Sequence, residues 1–244
     1  MHRFFILPSQ IGHQTVRFDA DQAHQMRRVL RLRPGDRVLA LDGRGRQYEV
    51  VLEEVSNARA TGRVATQSEA GGEPGARLTL FQSLLPRDKF EWVLQKGTEV
   101  GVSTFAPVIT RRSLVRGDDV TAEKMTRWER IIREAAEQCG RGLLPRLLPP
   151  APFSAAIVAA AALDRAVIAW EGESRRALGE ALSQSGERPE VGLFIGPEGG
   201  FEMEEIEEAA AQGIVAVTLG RRILRTETAA VVGAALLLYE LGEL

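Results

Sequence analysis

Val191-Gly192-Leu193-Phe194-Ile195-Gly196-Pro197-Glu198-Gly199-Gly200-Phe201 is the stretch that decides how this chain is read. Residues 191–195 carry no charge and have the length of a strand buried on both faces. Three glycines and a proline follow, and Glu202, Glu204 and Glu205 then open a helix. Strand, glycine loop and helix in that order form the repeating unit of a parallel α/β sheet.

The same unit recurs on both sides. Upstream, strands are expected over 78–85, 104–110 and 166–170, and helices over 90–100, 121–138, 153–162 and 174–183, with an extended stretch over 145–152. Downstream come a helix over 202–212, a strand over 215–219 and a helix over 226–241. The last helix, from Ala229 to Leu238, is apolar all round, which marks burial in a core or in a subunit interface.

Before residue 77 the rhythm differs. Short strands are expected over 3–7, 15–18, 37–41, 47–55 and 60–65, with turns at Pro34-Gly35-Asp36 and Asp42-Gly43. One helix over 20–30 interrupts them, with Asp19 placed as its N-cap. Strands this short and this closely spaced suggest a small β-barrel. Glu69-Ala70-Gly71-Gly72-Glu73-Pro74-Gly75 holds no apolar residue larger than alanine and reads as a linker. The expected organisation is a barrel domain over 1–70, a linker over 71–76 and an α/β domain over 77–244.

Composition narrows the class. At 44% hydrophobic and 26% charged, the chain is an ordinary globular one rather than a disordered one. A single cysteine, Cys139, allows no intrachain disulfide and fits a reducing cytoplasm; it reads as a small buried side chain. Three histidines and one cysteine offer no zinc site, so no metal is expected. The apolar run after Met1 is too short for a signal peptide, and the run ending at Tyr239 is too short for a bilayer.

The net charge of -2 conceals an asymmetry. Residues 1–46 hold nine arginines and four aspartates, a net +5, and no lysine. Arginine grips phosphate in a bidentate way and stacks on bases, so this segment suits RNA, although a solvated basic surface accounts for the charge equally well. Arg27, Arg28 and Arg31 gather on or just after one short helix, and Arg111-Arg112 follows a sheet strand.

Two late loops carry the chemistry. The first, Gly196–Gly200, can present backbone groups at close range, as can any tight turn. A phosphate loop would need a lysine and a bare helix start, whereas Glu202, Glu204 and Glu205 already fill that end. An anion is therefore repelled; a neutral adenosine bearing a cationic sulfonium is not. The second is Leu219-Gly220-Arg221-Arg222-Ile223-Leu224-Arg225-Thr226-Glu227-Thr228-Ala229, with Thr226 as expected N-cap and Arg225 placed to point into the same crevice. Gln95-Lys96-Gly97-Thr98-Glu99-Val100-Gly101-Val102 and Glu137-Gln138-Cys139-Gly140-Arg141 read as helix ends stopped by glycine.

Taken in order, these four stretches, with Arg3-Phe4-Phe5 and Arg28-Val29-Leu30-Arg31, resemble the RsmE family, the 16S ribosomal RNA uridine N3-methyltransferases of the SPOUT superfamily. The resemblance covers nearly the whole chain. It implies an α/β fold: a C-terminal SPOUT parallel sheet with a trefoil knot, preceded by a small PUA-like β-barrel domain. It implies a cytoplasmic homodimer, with no membrane association, that acts on 16S rRNA of the 30S ribosomal subunit and uses S-adenosyl-L-methionine as methyl donor. By the same resemblance the donor pocket falls on Ile195, Gly196, Pro197, Glu198, Gly199 and Gly200, on Leu219, Gly220, Ile223 and Leu224, and on Glu171.

Methylation at N3 of uracil needs stabilised carbonyl oxygens and a proton acceptor. Arginine does not lose its proton, so Arg225 is assigned to the oxygens and Glu227 to orienting Arg225 or accepting the proton. Arg3, Arg28, Arg31, Arg112 and Arg141 are the candidates for holding RNA. Other readings stay open: a SPOUT enzyme acting on transfer RNA or a ribose 2′-hydroxyl, and a non-catalytic RNA-binding protein. A dinucleotide oxidoreductase would place its glycines after the first sheet strand, where Pro86-Arg87-Asp88-Lys89 stands instead.

Overall fold

Short runs of β-branched and aromatic residues between glycine turns build the N-terminal part of the chain. In the computed structural model, which describes residues 1–86, 88–182 and 188–244, the chain divides into two units. One comprises Met1–Glu73 with Arg133–Leu144, the other Pro74–Ile132 with Pro145–Leu244.

The first unit holds β1 (His2–Phe5), β2 (Thr15–Phe18), β3 (Arg37–Leu41), β4 (Arg46–Val55) and β5 (Ala60–Glu69), in the order β1-β3-β4-β5-β2. β1 and β3 are parallel and the other pairs antiparallel. β1 and β2 form the two edges, so the sheet is open. Alternation along β4 turns Tyr48, Val50 and Leu52 onto a core with Phe4, Val16 and Val38. β5 runs to Glu69, four residues beyond its apolar pattern, because ladder bonds to the start of β4 hold its polar end: Glu69 pairs with Arg46 and Ser68 with Gln47. α1 (Ala20–His24) starts where expected, with Asp19 accepting from the Gln22 N–H at 2.8 Å. It widens into π-type turns over Gln25–Val29 and stops at Arg31, whose φ of +57° is left-handed.

Residues 133–144 belong to this unit through side-chain bonds. Glu137 accepts from the Phe5 N–H at 2.8 Å. Burial pushes its carboxyl up to about 7, against the opposing pull of that N–H and of Arg133.

The second unit alternates as its pattern dictates: β6 (Arg77–Ser83), α2 (Lys89–Val100), β7 (Thr104–Ile109), α3 (Ala122–Cys139), β8 (Arg146–Leu147), β9 (Ala151–Pro152), α4 (Phe153–Ala160), β10 (Arg165–Ala169), α5 (Leu178–Leu182), β11 (Glu190–Ile195), α6 (Met203–Ala211), β12 (Val215–Val217) and α7 (Thr226–Glu240). From Arg133 onward α3 clusters with the first unit. All strand pairs are parallel, in the order β12-β10-β11-β6-β7-β8, with β9 also beside β7. Phe81 and Phe194 stack at 4.3 Å on the face covered by α4 and α6. On the other face Gly233 lets α7 close on Leu193 and Ile195; a Cβ there would meet Leu193 at 3.0 Å. No helix among the described residues is long and apolar enough to cross a membrane.

Three expectations are corrected. The helix expected over 174–183 begins only at Leu178, because the Arg175 and Arg176 N–H groups donate to Glu173 and Ala177 bridges to Thr218; its expected last residue, Ser183, lies outside the described residues, as does Arg87 in the exit from β6. Cys139, expected buried, is exposed on the last turn of α3. Thr226 is the first residue of α7 rather than its cap, a place taken by Arg225.

Candidate active site

Register brings four strand ends together. Ala169 of β10 lies beside Ile195 of β11 on one side and Val217 of β12 on the other, and Ile195 lies beside Gln82 of β6. The loops leaving these strands emerge side by side at the carboxyl edge, where open parallel sheets place their ligands. Between them lies a cavity of about 580 Å³, a volume in the range of small-molecule sites.

Every residue that the sequence reading assigned to a donor pocket lines this cavity: Glu171, Ile195, Gly196, Pro197, Glu198, Gly199, Gly200, Leu219, Gly220, Ile223 and Leu224. So do Arg225 and Glu227. Five glycine and proline positions lie in the two loops that line it, for a reason visible at Gly200. Its φ is +68°, and the Glu171 carboxylate stands where a Cβ would project. Gly220, at φ +110°, turns the second loop with Thr218 Oγ1 accepting from its N–H. Ile223 is 89% exposed, so its part in the wall is chiefly backbone.

Hydrogen bonds tie the loops to each other. Thr226 Oγ1 donates to the Gly196 carbonyl and accepts from Gln82 Nε2 at 3.2 Å. Gln82 is 1% exposed, and its amide also donates to the Ser83 carbonyl, so the direction of the chain is set: amide to hydroxyl to carbonyl. The single hydroxyl thus joins the start of α7 to the loop after β11. Thr226→Val keeps the shape, removes the donor to the Gly196 carbonyl and takes one of two acceptors from the buried Gln82 amide, and about 1–3 kcal/mol of stability should be lost in urea unfolding. Thr226→Ser should recover most of it; a valine variant as stable as the parent would show the clamp to be idle.

The charge around the cavity is mixed. Lys89 Nζ, on the wall, pairs with Glu198 at 2.9 Å. That hydrogen-bonded carboxylate raises the Lys89 ammonium above its ordinary value against burial; Glu227 acts in the same sense and Arg225 opposes it. Among the described residues, Glu227 Oε2 is buried with no hydrogen-bond partner. The helix start behind the first loop is occupied: Glu205, 1% exposed, accepts from the Glu202 N–H at 2.9 Å and the Arg111 N–H at 3.0 Å. Glu205 thus fills the start of α6 that a phosphate loop would leave bare.

The five arginines expected to hold RNA fall into different settings. Arg28 and Arg31 are exposed beside one another in the first unit. Arg3 is half-buried, its guanidinium lying over Gly140. Arg112 instead supports the pocket, donating to the Gly199 carbonyl at 2.8 Å. Arg141 is 3% exposed and bonded to Glu73 at 2.6 Å, so its guanidinium is turned into the first unit. Sequence reasoning passed over Gln82 and Lys89. The signal for Gln82 was there, an amide in the apolar run Leu78-Thr79-Leu80-Phe81-Gln82. Lys89 gave none, because its partner lies 109 positions away.

Comparison with known proteins agrees with this geometry. A family model described as an RNA methyltransferase domain matches residues 73–238, and one described as an RNA methyltransferase PUA domain matches residues 18–64. The chain is 35% identical over 235 residues to ribosomal RNA small subunit methyltransferase E of Synechocystis, which spans 96% of this chain and 76% of that protein. It is 31% identical over 248 residues to the protein of that name from Bacillus subtilis, covering 98% and 97% of the two chains. The crystal structure of a ribosomal RNA small subunit methyltransferase E from Neisseria gonorrhoeae, bound to S-adenosyl methionine, superposes with a TM-score of 0.84 at 31% identity over 97% of this chain and 96% of that one.

Proposed function

Because the chain belongs to the ribosomal RNA small subunit methyltransferase E family, we propose that it methylates N3 of one uridine in the 16S RNA of the small ribosomal subunit, with S-adenosylmethionine as donor. The observation that carries this reading is the cavity at the ends of β6, β10, β11 and β12, lined by the two glycine-bearing loops 196–200 and 219–224 together with Arg225 and Glu227.

The residues fit the donor. The loops 196–200 and 219–224 would hold its adenosine through backbone groups, with Glu171 supplying negative charge. The donor supplies an electrophilic methyl group on a positively charged sulfur, which departs as a neutral thioether when nitrogen takes the methyl. The rest falls to the protein. Glu227 accepts the N3 proton; its buried, unpartnered Oε2 is suited to that task and releases the proton to water after turnover. Arg225, exposed at the head of α7, faces the uracil oxygens as negative charge spreads onto them. Lys89, held by Glu198, adds positive charge to the same wall. Arg28 and Arg31, with the half-buried Arg3, hold the RNA from the first unit.

The reading includes a cytoplasmic homodimer. The support for the dimer is α7, apolar from Ala229 to Leu238, which leaves Leu236 and Tyr239 exposed. The target is tested by mass spectrometry of 16S RNA nucleosides from cells lacking the protein. One N3-methyluridine should disappear and return with the wild-type gene. Its persistence would overturn the assignment of both base and atom.

A further inference from the structure

We propose that the methyltransferase unit has its own RNA-gripping surface: Arg175-Arg176 and Arg221-Arg222, on two hydrogen-bonded loops, hold phosphates of the single strand that delivers its base to the pocket. This rests on the methyltransferase reading of the pocket and adds to it how the RNA is presented there.

The two arginine pairs sit on the loops that follow β10 and β12, strands that pair directly. The loops themselves are joined: the Thr218 N–H donates to the Arg176 carbonyl at 3.0 Å, and Ala177 bridges to Thr218 in parallel register. The spacing between the pairs is therefore set by backbone. Arg221 and Arg222 line the cavity, and Arg175 and Arg176 stand on the loop bridged to theirs.

The nearest acid is spent on backbone. Glu173 Oε1 accepts from the Arg175 N–H at 2.7 Å and the Arg176 N–H at 3.2 Å, and those bonds, with a smaller pull from the Arg176 charge, hold its carboxyl below the ordinary value. All four guanidinium groups are exposed, and none enters an ion pair among the described residues. Arg111, Arg112 and Arg127 in the same unit are paired with glutamates. Residues 170–177 and 218–225 together hold five arginines against two glutamates, net +3, in a chain whose total is -2.

Exposed, uncommitted arginines at fixed spacing match phosphate, which they grip through paired N–H donors. The strand must be single. A cavity of about 580 Å³ admits one nucleoside beside the donor, not a duplex, so the target base enters unstacked. Its flanking phosphates then pass over the rim. Ile223, 89% exposed between Arg222 and Arg225, offers an apolar surface to a neighbouring base.

The test is the variant Arg175→Ala/Arg176→Ala, neither of which lines the cavity. Binding of protein-free 16S RNA is measured between roughly 50 and 200 mM salt. The slope of log K against log salt should fall by about 1–2, as expected for the loss of one or two phosphate contacts. KM for RNA should rise about tenfold with kcat within twofold, while S-adenosylhomocysteine affinity and melting temperature stay at the parent values. Arg175→Lys/Arg176→Lys should recover most of the slope, since lysine keeps the charge. An unchanged slope overturns the proposal. So does a defect confined to assembled subunits and absent on bare RNA, which would place an acidic protein on this surface. If the wild-type protein binds 16S RNA but methylates none of it, the functional reading fails, and the salt slope of the variant still decides the rim.

Discussion

Glu227→Gln lowers kcat on the order of 10²–10⁴-fold, the range for loss of a positioned proton acceptor, and Arg225→Ala lowers it on the order of 10²–10³-fold, the range for loss of one charge-stabilising donor. Both residues line the cavity, and both stand at the head of α7. Glutamine keeps the shape and hydrogen-bonding reach of Glu227 and removes its capacity to take a proton. The effect should therefore fall on kcat, with donor affinity within a few-fold of the parent. Methyl-transfer kinetics under single-turnover conditions, with S-adenosylhomocysteine binding measured alongside, separate chemistry from binding. Arg225 supplies no cap bond to the helix it precedes, so alanine there leaves the fold intact. If both variants keep near-parental kcat, this pair is not the catalytic apparatus.

Glu73→Ala should unfold the first unit more easily than any surface change, by about 3–5 kcal/mol. Arg141 is almost wholly buried and donates to both carboxylate oxygens of Glu73 through Nε and Nη2. The same carboxylate accepts from the Gly142 N–H at 3.0 Å and the Leu143 N–H at 2.9 Å. Removing it takes the Glu73 acceptor from a buried guanidinium and from two backbone donors, and each of those losses is costly. A shift in melting temperature of roughly 10 °C or more is expected for a unit of this size. Hydrogen exchange should speed up in peptides from residues 1–73. Glu73→Gln should cost less, because its carbonyl oxygen can still accept from Gly142 and Leu143. Equal stability of the alanine variant and the parent would show that the pair holds nothing together.

The same contact explains why the motif around Arg141 was misleading in sequence. Glu137-Gln138-Cys139-Gly140-Arg141 reads as a polar helix end with a basic residue offered to RNA. In the structure Glu137 receives the Phe5 N–H and Arg141 turns inward to Glu73, 68 positions earlier. Burial and partner, not residue type, decide whether an arginine serves a nucleic acid. Arg112 teaches the same: read as an RNA contact, it holds the Gly199 carbonyl of the pocket loop.

Local and periodic features could be read from the order of residues alone. Five uncharged residues before Gly196 and a glutamate-rich helix start behind it sufficed to expect β11, the loop and α6, because strand burial, glycine turns and helix ends obey short-range sterics and hydrogen bonding. Only the tertiary structure decided what required two distant segments to meet. Parallel register aligned Ala169, Ile195, Val217 and Gln82 into one edge. The Thr226 hydroxyl found Gly196, 30 positions away, and so became a clamp instead of a cap. Glu173 took up the Arg175 and Arg176 N–H groups, and both arginine side chains stayed exposed. Such pairings follow from how strands order themselves in the sheet, and no window of neighbouring residues contains that order.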